Sequence, residues 1–114
     1  MINQLRIYRI DPATAGAFHD RFRDHAARIM GRRGFRILAM WEAEGEAEGA
    51  PTLDFVYLLA WEHEAEMQAR WEDFIADPEW AEIKRATSAE HGAMVLSNAQ
   101  MTLRPVPYLS LIHI

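Results

Sequence analysis

Three polar side chains alternate along the first apolar segment of the chain: Gln4, Arg6 and Tyr8. In a β-strand, residues two apart lie on the same face, so these side chains would point the same way. An arginine on an inward sheet face is costly unless it pairs with an anion or is hydrogen-bonded. Arg6 could therefore bind an anionic group, and Tyr8 could donate a hydrogen bond or relay a proton. We predict Arg6 and Tyr8 as candidate catalytic residues and Gln4 as a ligand contact.

Four aromatic residues could complete such a site. Tyr57 would add a second hydroxyl from a later strand, and Trp41, Phe55 and Trp61 would form apolar walls around a ligand. This combination suits a planar small molecule that is weakly acidic or oxygenated. Structural roles stay open: Arg6 could satisfy a neighbouring carboxylate or a partner chain, and the aromatic residues could fill the core or an interface.

Other kinds of site have little support in the sequence. The chain has no cysteine, which excludes disulfides and thiolate metal sites. His19 and His25 are six residues apart on one predicted helix and face different ways, and no metal-binding histidine pair is present. No glycine-rich phosphate loop occurs. We predict no metal and no cofactor; the alternative is haem binding through His63 or His91.

Size and charge narrow the function classes. The chain has 114 residues, half of them hydrophobic, which suits one globular domain. Its net charge is −5 and it has no basic stripe, so we predict no nucleic-acid partner. No apolar run approaches ~20 residues, so we predict no membrane span. The N-terminus lacks the apolar core of a signal peptide, which predicts a cytoplasmic location.

The spacing of apolar residues predicts the elements that position the candidate site. Alternation predicts strands at 2–10, 35–41, 53–61 and 93–104. Spacing of three and four residues predicts a helix after Asp11-Pro12, another over 62–75, and a short one after Asp77-Pro78. A solvated hairpin loop is expected at 42–51. The order predicts an α+β, ferredoxin-like βαββαβ protomer with a four-stranded antiparallel sheet.

The helices are expected to cover one face of this sheet. We expect that face to carry Leu5 and Ile7, so that Arg6 and its neighbours point to the opposite face. Trp71, Phe74 and Trp80 have the spacing of a buried stripe, which predicts helix packing.

Two of the predicted strands are apolar on both faces, although the helices can cover only one. An exposed sheet of this size would be an association surface, and a second copy of the chain related by a two-fold axis is the economical cover. We therefore predict a homodimer.

A set of matching segments resembles the NIPSNAP family of the dimeric α+β barrel superfamily. The matching residues are Leu5–Ile10, Gly34-Phe35 leading to Trp41, Val56–Trp61, Trp71, Phe74, Asp77–Trp80 and Leu103–Pro105. The resemblance covers residues 1–108 and implies that two protomers pair sheet to sheet into a barrel. It implies little about activity, because related barrels include cofactor-free monooxygenases and haem-degrading enzymes. The family often has glutamate where this chain has Gln4.

The sequence thus predicts a NIPSNAP-like domain over residues 1–108. We expect it to bind a small organic molecule in the barrel interior, with the step to a cofactor-independent enzyme left open. The alternatives are a non-enzymatic assembly module and a haem-binding, monooxygenase-like barrel. The apolar residues 109–114 are expected to be a non-native or disordered tail, with an added strand as the alternative.

Overall fold

A four-stranded antiparallel sheet forms the centre of the protein, whose computed structural model describes residues 1–108. The strand order is β2-β3-β1-β4. The strands are β1 (Ile2–Ile10), β2 (Arg36–Ala47), β3 (Ala50–Trp61) and β4 (Val95–Leu103). This arrangement confirms the predicted ferredoxin-like α+β fold. The predicted tail at 109–114 lies outside the described residues.

Helices cover one face of the sheet. They are α1 (Ala15–Arg21), α2 (Ala27–Arg32), α3 (Glu64–Ile75) and α4 (Pro78–His91). A 3₁₀ turn at Pro12–Thr14 precedes α1, and a π-helical turn at Phe22–Ala26 joins α1 to α2. Asp11 begins the first helical segment, and its carboxylate accepts a hydrogen bond from the backbone N–H of Ala13 at 3.0 Å.

The apolar stripe predicted for the first helical segment is buried. Phe18, Phe22, Ala26 and Ile29 are all at most 6% exposed and pack against the sheet. The ring of Phe22 lies 4.7 Å from that of Phe55 on β3. These contacts identify the helix-covered face of β3, because Phe55 and the residues two apart from it share that face.

The covered face of β1 is the opposite of the one predicted. Gln4, Arg6 and Tyr8 pair in register with Leu59, Tyr57 and Phe55, and directly paired residues share a face. The helices therefore cover the polar series of β1. Leu5 and Ile7 lie on the face of the sheet opposite the helices, here called the open face. The prediction was wrong because both alternating series of β1 contain polar and apolar side chains, so the pattern of β1 alone does not identify the covered face. The aromatic series of β3 identifies it.

A β-bulge in β2 changes the position of Trp41. The pairing with β3 shifts between Ile37 and Ala39. Ile37 pairs with Leu59 on the covered face, whereas Trp41 pairs with Val56 on the open face. The extra residue reverses the alternation from that point, which is why Ile37 and Trp41 lie on opposite faces although they are four residues apart.

The hairpin between β2 and β3 is longer than predicted. The segment expected to be a loop at 42–51 continues the ladder, and Ala47 pairs with Ala50. Glu48 and Gly49 turn the chain with φ values of 53° and 79°. Positive φ at both central positions is typical of the tight turn whose twist suits a hairpin. The glutamates of this hairpin are exposed on both sides of the turn, so the segment shows no alternation of apolar and polar residues that would predict strands.

Asp77 joins the end of α2 to the start of α4. Its carboxylate is 1% exposed and accepts hydrogen bonds from Arg32 at 2.9 Å and Arg33 at 2.8 Å. It also caps α4 through the backbone N–H groups of Glu79 and Trp80. The hydrogen bonds from Arg33, then those from Arg32 and the backbone, outweigh burial and hold the pKa of Asp77 well below its usual range.

This carboxylate should make the stability of the protein depend on pH in the acidic range. Because the pKa of Asp77 is lower in the folded state, its contribution is complete above the ordinary value of about 3.9 and is lost as the pH falls below it. We expect Asp77→Asn to lower the melting temperature at pH 7 and to flatten its decline below pH 4. The exposed Asp73→Asn is the matched control. Parallel wild-type and Asp77→Asn profiles between pH 7 and pH 2.5 would contradict this.

Candidate functional site

A cavity of about 720 Å³ lies between the covered face of β1 and β4 and the helices α3 and α4. The described residues that line it include Gln4, Arg6, Tyr8, Arg21, Met67, Trp71, Glu72, Phe74, Trp80, Lys84, Ser88, Met94, Asn98 and Gln100. Gln100 and Asn98 are exposed, so the cavity opens to solvent beside β4.

Gln4 organises the floor of this cavity. Its Oε1 accepts hydrogen bonds from the indole N–H of Trp61 at 3.0 Å and of Trp71 at 2.7 Å. Its Nε2 donates to Oε1 of Gln100 at 2.5 Å. Gln4 is 1% exposed, and two N–H donors use both lone pairs of its carbonyl oxygen. Its side chain therefore positions two tryptophans and Gln100.

Arg6 extends along the cavity floor without a carboxylate partner among the described residues. Its two Nη atoms donate long hydrogen bonds, to Gln100 Oε1 at 3.5 Å and to Tyr8 Oη at 3.3 Å. The guanidinium lies 4.5 Å from the ring of Trp71. The buried Nε has no hydrogen-bond partner in the described part of the chain. Burial lowers the pKa of Arg6, but Tyr8 and Tyr57 outweigh it, so the net pKa is raised and the side chain is cationic.

The hydroxyls of Tyr8 and Tyr57 lie 2.6 Å apart. Tyr57 is fully buried, and burial, then Tyr8, raises its pKa well above the ordinary value. Among the described residues, the Tyr8 hydroxyl is the acceptor available to the Tyr57 hydroxyl. Leaving a buried donor unpaired is costly, so we assign Tyr57 as the donor. Tyr8 then accepts from both Tyr57 and Arg6, and its own proton is available to the cavity.

The arginine and lysine side chains that have no ionic partner among the described residues all line the cavity. Nine arginines form ion pairs with carboxylates of the described residues. Within residues 1–108, the arginine and lysine side chains outside these pairs are Arg6, Arg21 and Lys84, and all three line the cavity. Glu72 is the one carboxylate among the described lining residues, and it is exposed. The site is therefore electropositive in a protein whose net charge is −5.

Three aromatic rings form a continuous wall of the cavity. The rings of Trp71 and Phe74 are 5.9 Å apart, and those of Phe74 and Trp80 are 5.1 Å apart and stacked. The spacing of these residues predicted helix packing, and they do pack against the core. They also present apolar surface to the cavity.

The structure brings together most of the residues predicted for the site, but at different depths. They lie between the sheet and the helices, and not on the opposite face of the sheet, where the predicted barrel interior would be. Gln4, Arg6 and Tyr8 line the cavity. Behind this lining lie Tyr57, Phe55 and Trp61, buried on the same face of the sheet. Trp41 is not part of the group, because it lies on the open face and is 51% exposed.

Sequence reasoning missed Arg21 and Lys84. A signal was available, since Arg21 comes three residues after Phe18 and Lys84 four residues after Trp80. Residues at these spacings are neighbours on a helix, so each cation lies beside an apolar stripe and not on the solvated side.

The histidines considered as haem ligands are not among the residues that line the cavity. Nδ1 of His63 accepts a hydrogen bond from the backbone N–H of Glu66 at 3.1 Å and so begins α3. His91 ends α4 and is exposed. In residues 1–108, no group of three or more His, Asp or Glu side chains could hold a metal ion. No helix over the same residues has the length and apolar character needed to span a bilayer.

Comparison with known proteins identifies a family and a shared fold. The NIPSNAP family model matches residues 3–110. A NIPSNAP domain protein from Burkholderia xenovorans is 18% identical, with a TM-score of 0.75 over 96% of this chain and 99% of its own. A NIPSNAP family protein from Agrobacterium tumefaciens is 15% identical, with a TM-score of 0.76 over 96% and 97%.

The same fold occurs in an antibiotic biosynthesis monooxygenase. That protein is 14% identical, with a TM-score of 0.56 over 94% of this chain and 100% of its own. Identities this low show a shared architecture and leave chemistry to be argued from the site. No curated protein sequence matched the chain.

Proposed function

This chain belongs to the NIPSNAP family, and we propose that it binds a small organic anion with a planar apolar part. Arg6 holds the acidic group, Tyr8 donates a hydrogen bond to it, and Trp71 contacts the apolar part. The observation that carries this proposal is that Arg6, Arg21 and Lys84, the arginine and lysine side chains without ionic partners in residues 1–108, all line one cavity.

The state of Arg6 supports an anionic ligand. A half-buried guanidinium loses hydration, and the long hydrogen bonds to neutral partners at 3.3 and 3.5 Å restore little of it. A carboxylate or enolate would accept shorter, charge-assisted bonds from the same fork. Other arginines of the chain find this compensation within the protein, as Arg9 does with Asp54 at 2.6 Å.

The cavity also has a suitable size and lining. Its volume of about 720 Å³ lies within the range of roughly 300–1,000 Å³ that is typical of small-molecule sites. An aromatic wall beside a few convergent polar groups is the usual composition of such sites. Arg6 and Tyr8 would also stabilise negative charge that develops on a ligand oxygen, which a cofactor-independent enzyme would require.

The preference for charge can be tested with matched acids and amides. We expect 2-naphthoate or cinnamate to bind at least about tenfold more tightly than the corresponding amide, because only the acid forms charge-assisted bonds with Arg6. Isothermal titration calorimetry at low salt measures both members of each pair. Equal affinities for acid and amide, or no binding by any of the acids, would contradict the proposal.

We also propose that a second copy of the chain covers the open face of the sheet. The apolar residues of the open face are Leu5, Ile7, Ala39, Trp41, Val56, Leu58, Ala60, Ala99, Met101 and Leu103. Trp41 and Met101 are about half exposed in the isolated chain. A contiguous apolar face of this kind marks an association surface, and a two-fold axis allows it to pair with itself.

A further inference from the structure

Two arginines lie at opposite ends of the aromatic wall. The guanidinium of Arg6 lies 4.5 Å from the ring of Trp71, and that of Arg21 lies 5.5 Å from the ring of Trp80. Phe74 lies between the two tryptophans. The wall therefore has a cation at each end and apolar surface between them.

The side chain of Arg21 is positioned by a hydrogen bond to α4 but forms no ion pair among the described residues. Its Nη1 donates to the hydroxyl oxygen of Thr87 at 3.0 Å, and that hydroxyl donates to the backbone carbonyl of Ile83 at 2.8 Å. Burial lowers the pKa of Arg21, with Tyr8 opposing the shift, so its charge is partly desolvated. No carboxylate pairs with it among the described residues. It is therefore a positioned cation whose charge is uncompensated.

The same end of the cavity receives polar groups from α4. Lys84 comes three residues before Thr87 and four before Ser88, so these side chains project from one side of the helix. Lys84 and Ser88 line the cavity together with Arg21. A guanidinium, an ammonium and a hydroxyl group are a suitable donor set for an anionic oxygen group.

We propose that Arg21 and Lys84 form a second anion subsite, so that the ligand is a dianion. Its two acidic groups are separated by a planar apolar spacer that lies along Trp71, Phe74 and Trp80. This inference rests on the proposed binding of an organic anion at Arg6 and adds a second charge to the ligand. We take both acidic groups to be carboxylates, which the planar guanidinium of each subsite can bind through paired hydrogen bonds.

The probes are dicarboxylates of increasing length, each compared with its monoacid: terephthalate with benzoate, 2,6-naphthalenedicarboxylate with 2-naphthoate, and biphenyl-4,4′-dicarboxylate with biphenyl-4-carboxylate. By calorimetry, we expect at least one diacid to bind the wild-type protein at least about tenfold more tightly than its monoacid. The Arg21→Gln/Lys84→Gln double variant should lose this advantage and keep the affinity for the monoacid. Arg23→Gln/Arg85→Gln, at exposed neighbouring positions that are ion-paired, should change neither affinity.

The outcomes separate the second subsite from the first. If monoacids and diacids bind the wild-type protein equally, the second subsite is wrong and binding at Arg6 stands. If no acid binds, both fail. A diacid advantage that survives in the double variant also overturns the assignment to Arg21 and Lys84. The single variant Lys84→Gln should fold normally, because this side chain is exposed. It should by itself reduce the affinity advantage of the diacid over its monoacid.

Discussion

Replacing Arg6 with glutamine is expected to weaken the binding of the aromatic carboxylates about 100-fold and to leave the protein folded. Charge-assisted hydrogen bonds contribute about 1.5–3 kcal/mol, and roughly 2.7 kcal/mol corresponds to a factor of 100 in affinity. Glutamine keeps a hydrogen-bonding group on the cavity floor and removes the charge. Calorimetric titration of 2-naphthoate into the wild type and the variant measures the effect.

The stability of the same variant distinguishes a binding role from a structural one. The hydrogen bonds of Arg6 are long and have neutral acceptors, so their loss should cost little. Removing an unpaired, partly desolvated charge works in the opposite direction. We therefore expect the free energy of unfolding, measured with urea, to change by about 1 kcal/mol or less. A structural Arg6 would instead give a large loss of stability with unchanged ligand affinity.

Two further variants sharpen this test. Arg6→Lys keeps the charge but loses the planar fork, so its affinity should lie between those of the wild type and Arg6→Gln. Arg70→Gln removes an exposed arginine on α3 that pairs with Asp73 outside the cavity. Its affinity should match that of the wild type, and a similar loss there would point to a general charge effect.

Replacing Leu58 with lysine is expected to raise the dissociation constant of the proposed dimer about 100-fold or more. Leu58 pairs with Leu5 near the middle of the open face, on the two central strands of the sheet. A lysine there would bring an unpaired charge into an apolar interface, which is strongly unfavourable. In the isolated protomer the same position is only partly buried, so the fold should persist. Sedimentation equilibrium at micromolar concentrations should show a wild-type dimer and a variant monomer with the circular dichroism of the wild type.

The matched control adds the same charge elsewhere. Ala69→Lys places a lysine on the exposed side of α3 and should leave the dimer intact. A wild-type monomer at micromolar concentration would contradict the proposed dimer outright. A Leu58→Lys dimer as tight as the wild type would show that the chain associates through another surface.

Local features of the chain could be predicted well. Asp11-Pro12 and Asp77-Pro78 indicated two helix starts, and both aspartates cap as expected. The stripe that begins at Phe18 indicated a helix face that is buried in the structure. The alternation that begins at Phe55 indicated a strand, although its aromatic residues were expected to line a ligand site, with the core as the alternative, and they are buried. These features depend on side chains a few residues apart, whose relative positions are set by the helix or strand itself. The element order that follows from them leads to the correct fold, and the resemblance of the matching segments leads to the correct family.

The candidate site was only partly predictable, for three physical reasons. The alternation of β1 was predicted correctly, but which face of β1 the helices cover depends on its register with β3. A one-residue bulge at Leu38 moved Trp41 to the open face, and no local pattern marked it. Arg21 belongs to the site because α1 packs beside α4, where Thr87 contacts it, a pairing of residues distant in sequence.

By itself, the sequence determined which side chains could do chemistry together on β1, and which elements would carry them. Only the tertiary structure decided that Arg6 and Tyr8 face the helices and that Trp71 and Trp80 form the wall beside them. Strand periodicity places alternate residues on one face but does not say which face is covered. That choice depends on the combined burial of several strands and helices, and here the aromatic face of β3 determined it.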